Sequence, residues 1–492
     1  MEVATMKTAG TTKAMMDLSI LTRMQAILAK QKKAFVNDGH VSAEVRIGRI
    51  DRIINLLIEN EVALCQAMNA DFGNRSVYQS RMADIGGTLE SVKHAKKHVE
   101  KWMKHERRKP MFPLSLFGAR AWVEFQPKGV VGNLATWNFP VHISLGPLAG
   151  IFAAGNRCMI KLSEITPQTS ALLEKLIGQY FDERELAGIN GGPEVGAAFA
   201  ALPFDHIIFT GATGVARHIL HAAADNLTPV TLELGGKSPV IIGRSADLDE
   251  AALRIMGGKT INSGQVCLSP DYVFIPKEKR DTFIGYLQSH LQKMFPQMID
   301  NRDYTSVVND RHRQRLQDHL ADAQSKGAEL VALGVDEDFS GRRHSNQLPM
   351  TVVLEPTDDM TVMQEEIFGP LICIKTYQDV EECVRFIRAR PHPLALYYFG
   401  ADRQEERYVL DNTISGGVCI NDVMQHVSSE DLPFGGIGAS GMGCYHGRDG
   451  FKTFSHARSM YYQTKPNMMK LGGMLPPYGP RTEAVLKRMI KP

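Results

Sequence analysis

Residues 129–140, GVVGNLATWNFP, decide the fold class. The run from Val130 to Ala135 is short, carries no charge and is rich in apolar residues, the pattern of a strand covered on both faces. Asn138 and Pro140 break it, so Thr136 and Asn138 stand just beyond the strand's C-terminal end. Such a strand needs helices on either side, and the sequence that follows supplies them. A helical pattern in LGPLAGIFAAG (145–155) precedes a strand in RCMIKLSE (157–164) and a helix in TPQTSALLEKLIGQYF (166–181). A strand in HIIFTG (206–211), a helix in TGVARHILHAAADNL (213–227) and a strand in PVTLELGG (229–236) complete the set. This alternation predicts parallel strands joined by crossover helices, a doubly wound α/β domain.

Upstream, from about Leu18 to Lys104, apolar residues recur at helical spacing, most clearly in RIGRIDRIINLLIENEVALCQAM (46–68). RAWVEFQPKG (120–129) predicts a hairpin arm at the QPKG turn, leading into the buried strand. Downstream, PVIIG (239–243), DYVFIP (271–276), AELVAL (328–333), IFGPLICIKTY (367–377), ALYYFG (395–400) and GGVCIND (416–422) form a second alternating block. A second α/β domain is expected there. Beyond Asp431 the Gly-rich LPFGGIGASGMGCYHG (432–447) reads as a loop packed against another surface, and the Gly- and Pro-broken C-terminus as a surface tail.

A chain of 492 residues with 43% hydrophobic content predicts two or three globular domains. Its 56 basic and 54 acidic residues leave a net charge of +2, too weak a field to recruit nucleic acid. The basic stretch from Lys104 to Lys109 reads as solvated surface. Seven cysteines, odd in number and without a CxxC pair, argue against a disulfide framework or a metal site and for reduced thiols in a cytoplasm. The N-terminus has no signal-peptide core and no run of ~18 apolar residues occurs, so no membrane span is expected.

Several residues could carry chemistry. Cys267 in NSGQVCLSP (262–270) follows a Gly-containing turn; it could pack as a small hydrophobe or react from a cleft. Asn138 could present an amide donor to a cleft or merely form an Asx-turn. Glu233 in ELGGKSP (233–239) could be a general base, or a loop carboxylate paired with Lys237. FTGATG (209–214) sits between strand and helix as a phosphate-cradling turn does, without the full glycine fingerprint. Lys161 could reach ribose hydroxyls or a phosphate and Glu164 could accept from the ribose, where a carboxylate disfavours the 2′-phosphate of NADP. A surface ion pair between those two is equally open. QEEIFGP (364–370) adds Glu366 and Phe368 beside a buried strand.

Taken in this order, the motifs TWNFP, IKLSE, FTGATG, LELGGKSP, NSGQVC and EEIFGP resemble those of the aldehyde dehydrogenase superfamily, from about residue 20 to 465. PFGGIGASGMGCYHGRDGFKTFSH (433–456) is similar to the class 3 branch. DFGNRS (71–76), GPLAGIFAAGNR (146–157) and NDVMQHV (421–427) look most like bacterial enzymes that oxidise coniferyl aldehyde. Thr136 departs from the family's usual proline, and Gly214 from a bulkier polar residue after the phosphate turn.

The resemblance implies an α/β aldehyde dehydrogenase fold. A Rossmann-like cofactor domain would take 1–105 and 128–238, a catalytic domain 239–438, an oligomerisation arm and strand 106–127 and 439–465, and a tail 466–492. It implies oxidation of an aldehyde to its acid with NAD, or NADP, through a hemithioacetal and thioester on Cys267. Asn138 and the Cys267 N–H would hold the oxyanion, and Glu233 would activate water. Thr136, Trp137, Lys161, Glu164, Gly211, Ala212, Gly235, Glu366 and Phe368 would bind the cofactor. The expected partners are a small-molecule aldehyde and a second copy of the chain, as a homodimer or dimer of dimers. Coniferyl aldehyde is the expected substrate, with medium- or long-chain aliphatic aldehydes as the rival. A cysteine hydrolase, a CoA-acylating enzyme and a non-catalytic NAD-binding protein each leave a motif unexplained.

Overall fold

A computed structural model describes residues 18–112, 114–334, 339 and 346–491; the N-terminal stretch up to residue 17 lies outside them. Val130–Leu134 is a fully buried strand inside a sheet, as its uncharged run predicts. Edge to edge, that sheet runs Gly441–Met442, Val230–Glu233, His206–Thr210, Val130–Leu134, Arg157–Lys161 and Leu186–Ile189. Its neighbours are parallel except Gly441–Met442, which is antiparallel to Val230–Glu233. The register sets Leu134 beside Lys161 and Phe209, and Thr210 beside Glu233. The strand ends, with the polar residues that follow them, therefore share one rim, the place where open α/β sheets bind ligands.

A second sheet orders Glu329–Ala332, Thr351–Leu354, Leu371–Tyr377, Pro270–Pro276, Ser238–Ile242, Ala395–Phe399 and Gly417–Ile420. Only its first strand is antiparallel to its neighbour. A third, antiparallel sheet holds Glu106–Arg108, Arg120–Pro127 and Ser455–Tyr462. The fold is thus α/β, with two mainly parallel sheets and a separate antiparallel one.

One sequence expectation is corrected here. Arg120–Pro127 does not pair across the QPKG turn: it pairs with Glu106–Arg108 and Ser455–Tyr462, while the turn carries the chain into another sheet. At that turn Gly129 has φ +140° and a side chain would strike the Asp205 carboxylate, which accepts from the Val130 N–H. The basic stretch at 104–109 lies on the surface as expected, with only Glu106 half-buried, and it also contributes the edge strand Glu106–Arg108. Its charges find partners, Glu106 lying 3.1 Å from Arg108 and 3.9 Å from both Arg448 and Lys452.

The helical reading of 18–104 gives helices Leu18–Asp38, Ala43–Phe72 and Gly87–Trp102. Ser42 caps the second, accepting from the Val45 N–H, and Gly73 at φ +72° ends it. Its apolar face buries Ile50, Ile53, Leu56, Leu57 and Leu64 in the main core. Between it and the third helix, Ser80–Gly86 winds as a π-helix, a form that recurs at functional sites. No helix among the described residues is long and apolar enough to cross a membrane.

Candidate active site

Cys267, Glu233 and Asn138 come from three separate elements and line one cavity of about 670 Å³. Cys267 follows the helix Leu248–Thr260 and a turn in which three residues, Asn262, Ser263 and Gly264, have φ of +49°, +51° and +72°. Two of these are not glycine, so the turn is strained, and strain of this kind persists only where the surroundings enforce it. Here they do. Asn262 donates to Asn138 O at 3.0 Å and accepts at its carbonyl from Gln265 at 2.8 Å, Gln265 accepts from the Val308 N–H, and Ser263 donates to Thr305 O. At Gly264 a side chain would collide with the Gly369 carbonyl. Beyond the cysteine, the Tyr397 hydroxyl donates to Leu268 O at 2.6 Å. The thiol is therefore held at a fixed point where it both packs against the main core and lines the cavity wall.

Glu233 ends the strand Val230–Glu233 and is 3% exposed. Lys237, the partner open to it from sequence, is 13% exposed and instead grips Asp271, Val362 O and Glu365 O. Burial therefore acts on Glu233 with no cation to offset it. Its carboxyl is pushed up to about 7, against a smaller pull from the Cys267 thiol and Thr210. Its Oε1 has no hydrogen-bond partner. The Cys267 thiol is raised in turn, first by burial and then by the charges of Glu233 and Glu366.

Asn138 is buried; its Nδ2 donates to Gln265 O at 3.2 Å, which leaves the amide's second N–H. Its own carbonyl accepts from Arg75 and Asn262. Pro140 opens the short helix Pro140–Leu145 directly after it.

The proposed cofactor residues gather on the same rim. Gly211 and Ala212 lead into the helix Thr213–Ala224, and a side chain at Gly214 would meet open space, so a helix N-terminus stands clear as an anion site requires. Lys161 is buried, with Nζ 3.2 Å from the exposed Glu164. Burial lowers its pKa, against the charges of Glu164 and Glu194. Glu366 occupies the space a side chain at Gly235 would fill, and burial with the charge of Asp271 pushes it up to about 8. Trp137 and Phe368 meet edge-to-face at 5.3 Å; Phe368 has φ +47° and its carbonyl neighbours Glu366 and Ile367 are held by Arg315. Thr136 sits half-buried beside this pair. An open helix terminus, a buried ammonium beside an exposed carboxylate and a glycine cradle under a second carboxylate suit a nicotinamide dinucleotide.

The rest of the cavity was not legible as a site. Met82, Ala83 and Gly86 of the π-helix and Gly87 of the next helix face it, together with Phe139, Ile143, Phe434 and Tyr445. Val423, Met424 and Val427, from the NDVMQHV segment, complete an apolar wall, with Val423 filling the space above Gly258. The apolar residues of that segment carry no chemical signal of their own, so only its resemblance to relatives marked it.

A thiol, a near-neutral carboxyl and an amide donor lining one cavity, beside a rim that suits a dinucleotide, are the groups that covalent cysteine chemistry requires. The aldehyde dehydrogenase family model matches residues 6–460, and the chain belongs to that family. It is an enzyme, a nicotinamide-dependent aldehyde dehydrogenase. A protein of Caulobacter vibrioides named probable coniferyl aldehyde dehydrogenase is 50% identical over 471 residues, 95% of this chain and 97% of that one. The coniferyl aldehyde dehydrogenase of a Pseudomonas species is 49% identical, over 95% and 96% of the two chains. Among solved structures, the substrate-bound state of Staphylococcus aureus AldH superposes with a TM-score of 0.88 at 34% identity, covering 95% of this chain and 99% of that one. An NAD complex of Mycobacterium tuberculosis aldehyde dehydrogenase, 24% identical, shares the fold with a TM-score of 0.80.

Proposed function

We propose that this enzyme oxidises coniferyl aldehyde, or a close aromatic relative, to the carboxylic acid. The observation that carries the chemistry is the convergence of Cys267, Glu233 and Asn138 on one cavity. The substrate is supported by the two relatives near 50% identity and by the apolar wall, which suits a planar aromatic tail.

The Cys267 thiol gives its proton to solvent and attacks the aldehyde carbon as thiolate, and the carbonyl oxygen that becomes negative is held by the Asn138 amide and the Cys267 backbone N–H. Each such donor is worth about 10²–10³ in rate. A nicotinamide dinucleotide held by these residues would supply the hydride acceptor, so that oxidation of the tetrahedral adduct would leave a thioester on the sulfur. Glu233, titrating near neutrality, takes a proton from water, which adds to the thioester; the thiol leaves and the acid departs. Glu366 and Phe368 position the nicotinamide ribose, Trp137 supports Phe368, and Lys161 and Glu164 hold the adenosine ribose. Gly211, Ala212 and Thr136 border the path between them.

NAD is the proposed cofactor, because the Glu164 carboxylate disfavours a 2′-phosphate. The division into a cofactor part (1–105 and 128–238), a catalytic part (239–438) and an arm with its strand (106–127 and 439–465) is supported by the sheet membership of its strands, except that Gly441–Met442 joins the cofactor sheet. Exposed Tyr461 and Tyr462 at the edge of the antiparallel sheet favour a homodimer or dimer of dimers. Seven free thiols suit a cytoplasmic location.

The test is a specificity panel. The specificity constant with NAD should be highest for coniferyl aldehyde, ahead of benzaldehyde and a medium-chain alkanal; an alkanal in first place would remove the aromatic assignment. Gly235→Ala drives a methyl into the Glu366 carboxylate. Overpacking costs about 1–3 kcal/mol, so NAD affinity should fall roughly tenfold. Unchanged affinity in a fluorescence titration would mean that Glu366 does not hold the ribose.

A further inference from the structure

The motif DFGNRS takes no part in the chemistry so far, yet its arginine lies directly behind the proposed oxyanion donor. The Arg75 side chain is 1% exposed and its partner Asp84 fully buried, with Nη2 2.7 Å from Asp84 Oδ2. Its other arm, Nη1, donates to the Asn138 carbonyl at 2.8 Å. The guanidinium lies over the rings of Phe72, at 4.5 Å, and Phe139, at 5.4 Å, which fix its plane. Asp84 sits in the π-helix and uses its second oxygen on the backbone N–H groups of Val141 and His142, at 3.0 and 3.3 Å. The ion pair thus grips the chain at Asn138 and again at residues 141 and 142. Neither member lines the cavity.

A buried ion pair contributes little net stability over apolar residues of the same volume, because its desolvation cost offsets its attraction. Its geometry is the more informative property. The fork of an arginine can hold a carboxylate and a carbonyl at once, which an ammonium cannot. The same carbonyl also accepts from Asn262, in the strained turn that presents Cys267, so donor and nucleophile share a brace.

We propose that Arg75 and Asp84 are positioning residues for catalysis, setting the direction of the Asn138 amide toward the oxyanion of the cysteine adduct. The proposal rests on Asn138 as the oxyanion donor. A misplacement of about 1 Å at a reacting centre costs on the order of a hundredfold in rate.

The experiment is a double-mutant cycle. Arg75→Lys, which keeps the charge beside Asp84 but loses the fork, is made in the native enzyme and in Asn138→Ala. The rate constant of the first NADH burst is measured at saturating NAD and coniferyl aldehyde, per active site counted from the burst amplitude. Arg75→Lys should slow the burst roughly 10- to 100-fold when Asn138 is present and less than about twofold when it is absent, since its effect passes through the amide. NAD affinity should be unchanged in both. Equal losses in the two backgrounds, or no loss in either, would overturn the positioning role. Should Arg75→Lys not fold, the paired variant Arg75→Met with Asp84→Leu, which leaves no lone buried charge, is read in the same way. An unchanged burst in Asn138→Ala alone would instead remove Asn138 as the oxyanion donor, a separate failure that takes this proposal with it.

Discussion

Cys267→Ala should lose essentially all turnover, with kcat lower by at least about 10⁴-fold, the scale seen when the nucleophile of a covalent mechanism is removed. Six other thiols cannot stand in. Cys65, Cys158, Cys373 and Cys383 are buried in the core, and burial raises their pKa, so they pack as small hydrophobes. Cys419 and Cys444 are partly exposed but do not line the cavity with Asn138 and Glu233. The exchange of thiol for hydrogen is small, and the turn is braced by Asn262, Gln265 and Ser263 rather than by the sulfur. NAD affinity should therefore stay within a factor of about two by fluorescence titration, reflecting the small local change. Steady-state NADH formation above a few per cent of the native rate would show that another group forms the adduct.

Glu233→Gln separates the two halves of the cycle. The carboxyl is proposed to activate water, a proton transfer worth about 10²–10⁴, so steady turnover should fall by that factor. The burst should survive at close to one NADH per site, because the Glu233 charge raises the thiol pKa and its removal eases thiolate formation. Burst and steady rate falling together would assign Glu233 to adduct formation instead. In the native enzyme the steady rate should rise with pH through about 7 as Glu233 ionises, and the variant should lose that rise. Stability runs the opposite way. Between its ordinary 4.5 and about 7 the folded protein holds a proton that the unfolded chain has released. That stabilising contribution is complete at low pH and is lost as pH climbs through about 7, and glutamine should remove the dependence.

Reading from sequence succeeded where the signal is local. The uncharged run Val130–Leu134 announces a covered strand, and Asn138 follows that strand while Glu233 ends another, on the rim where open α/β sheets bind ligands. It failed where partners are distant. Glu106–Arg108 is charged and short, and becomes a strand only because Arg120–Pro127 pairs with it. The π-helix Ser80–Gly86 adds no break to the helical period of its sequence. Arg75 and Asp84 are residue types that normally stay at the surface, so nothing in their order along the chain shows that each buries the other. Lys237 offered itself as Glu233's partner by proximity, while the actual acceptor, Asp271, comes from the next strand of the second sheet. With Lys237 so engaged, burial is what pushes the Glu233 carboxyl toward neutrality.

The central claim is a covalent acyl intermediate on Cys267. Glu233→Gln, mixed with NAD and coniferyl aldehyde and quenched in acid after the burst, should yield a peptide containing Cys267 that carries the feruloyl group as a thioester in mass spectrometry. NADH formed in the same sample with that peptide unmodified would contradict the account.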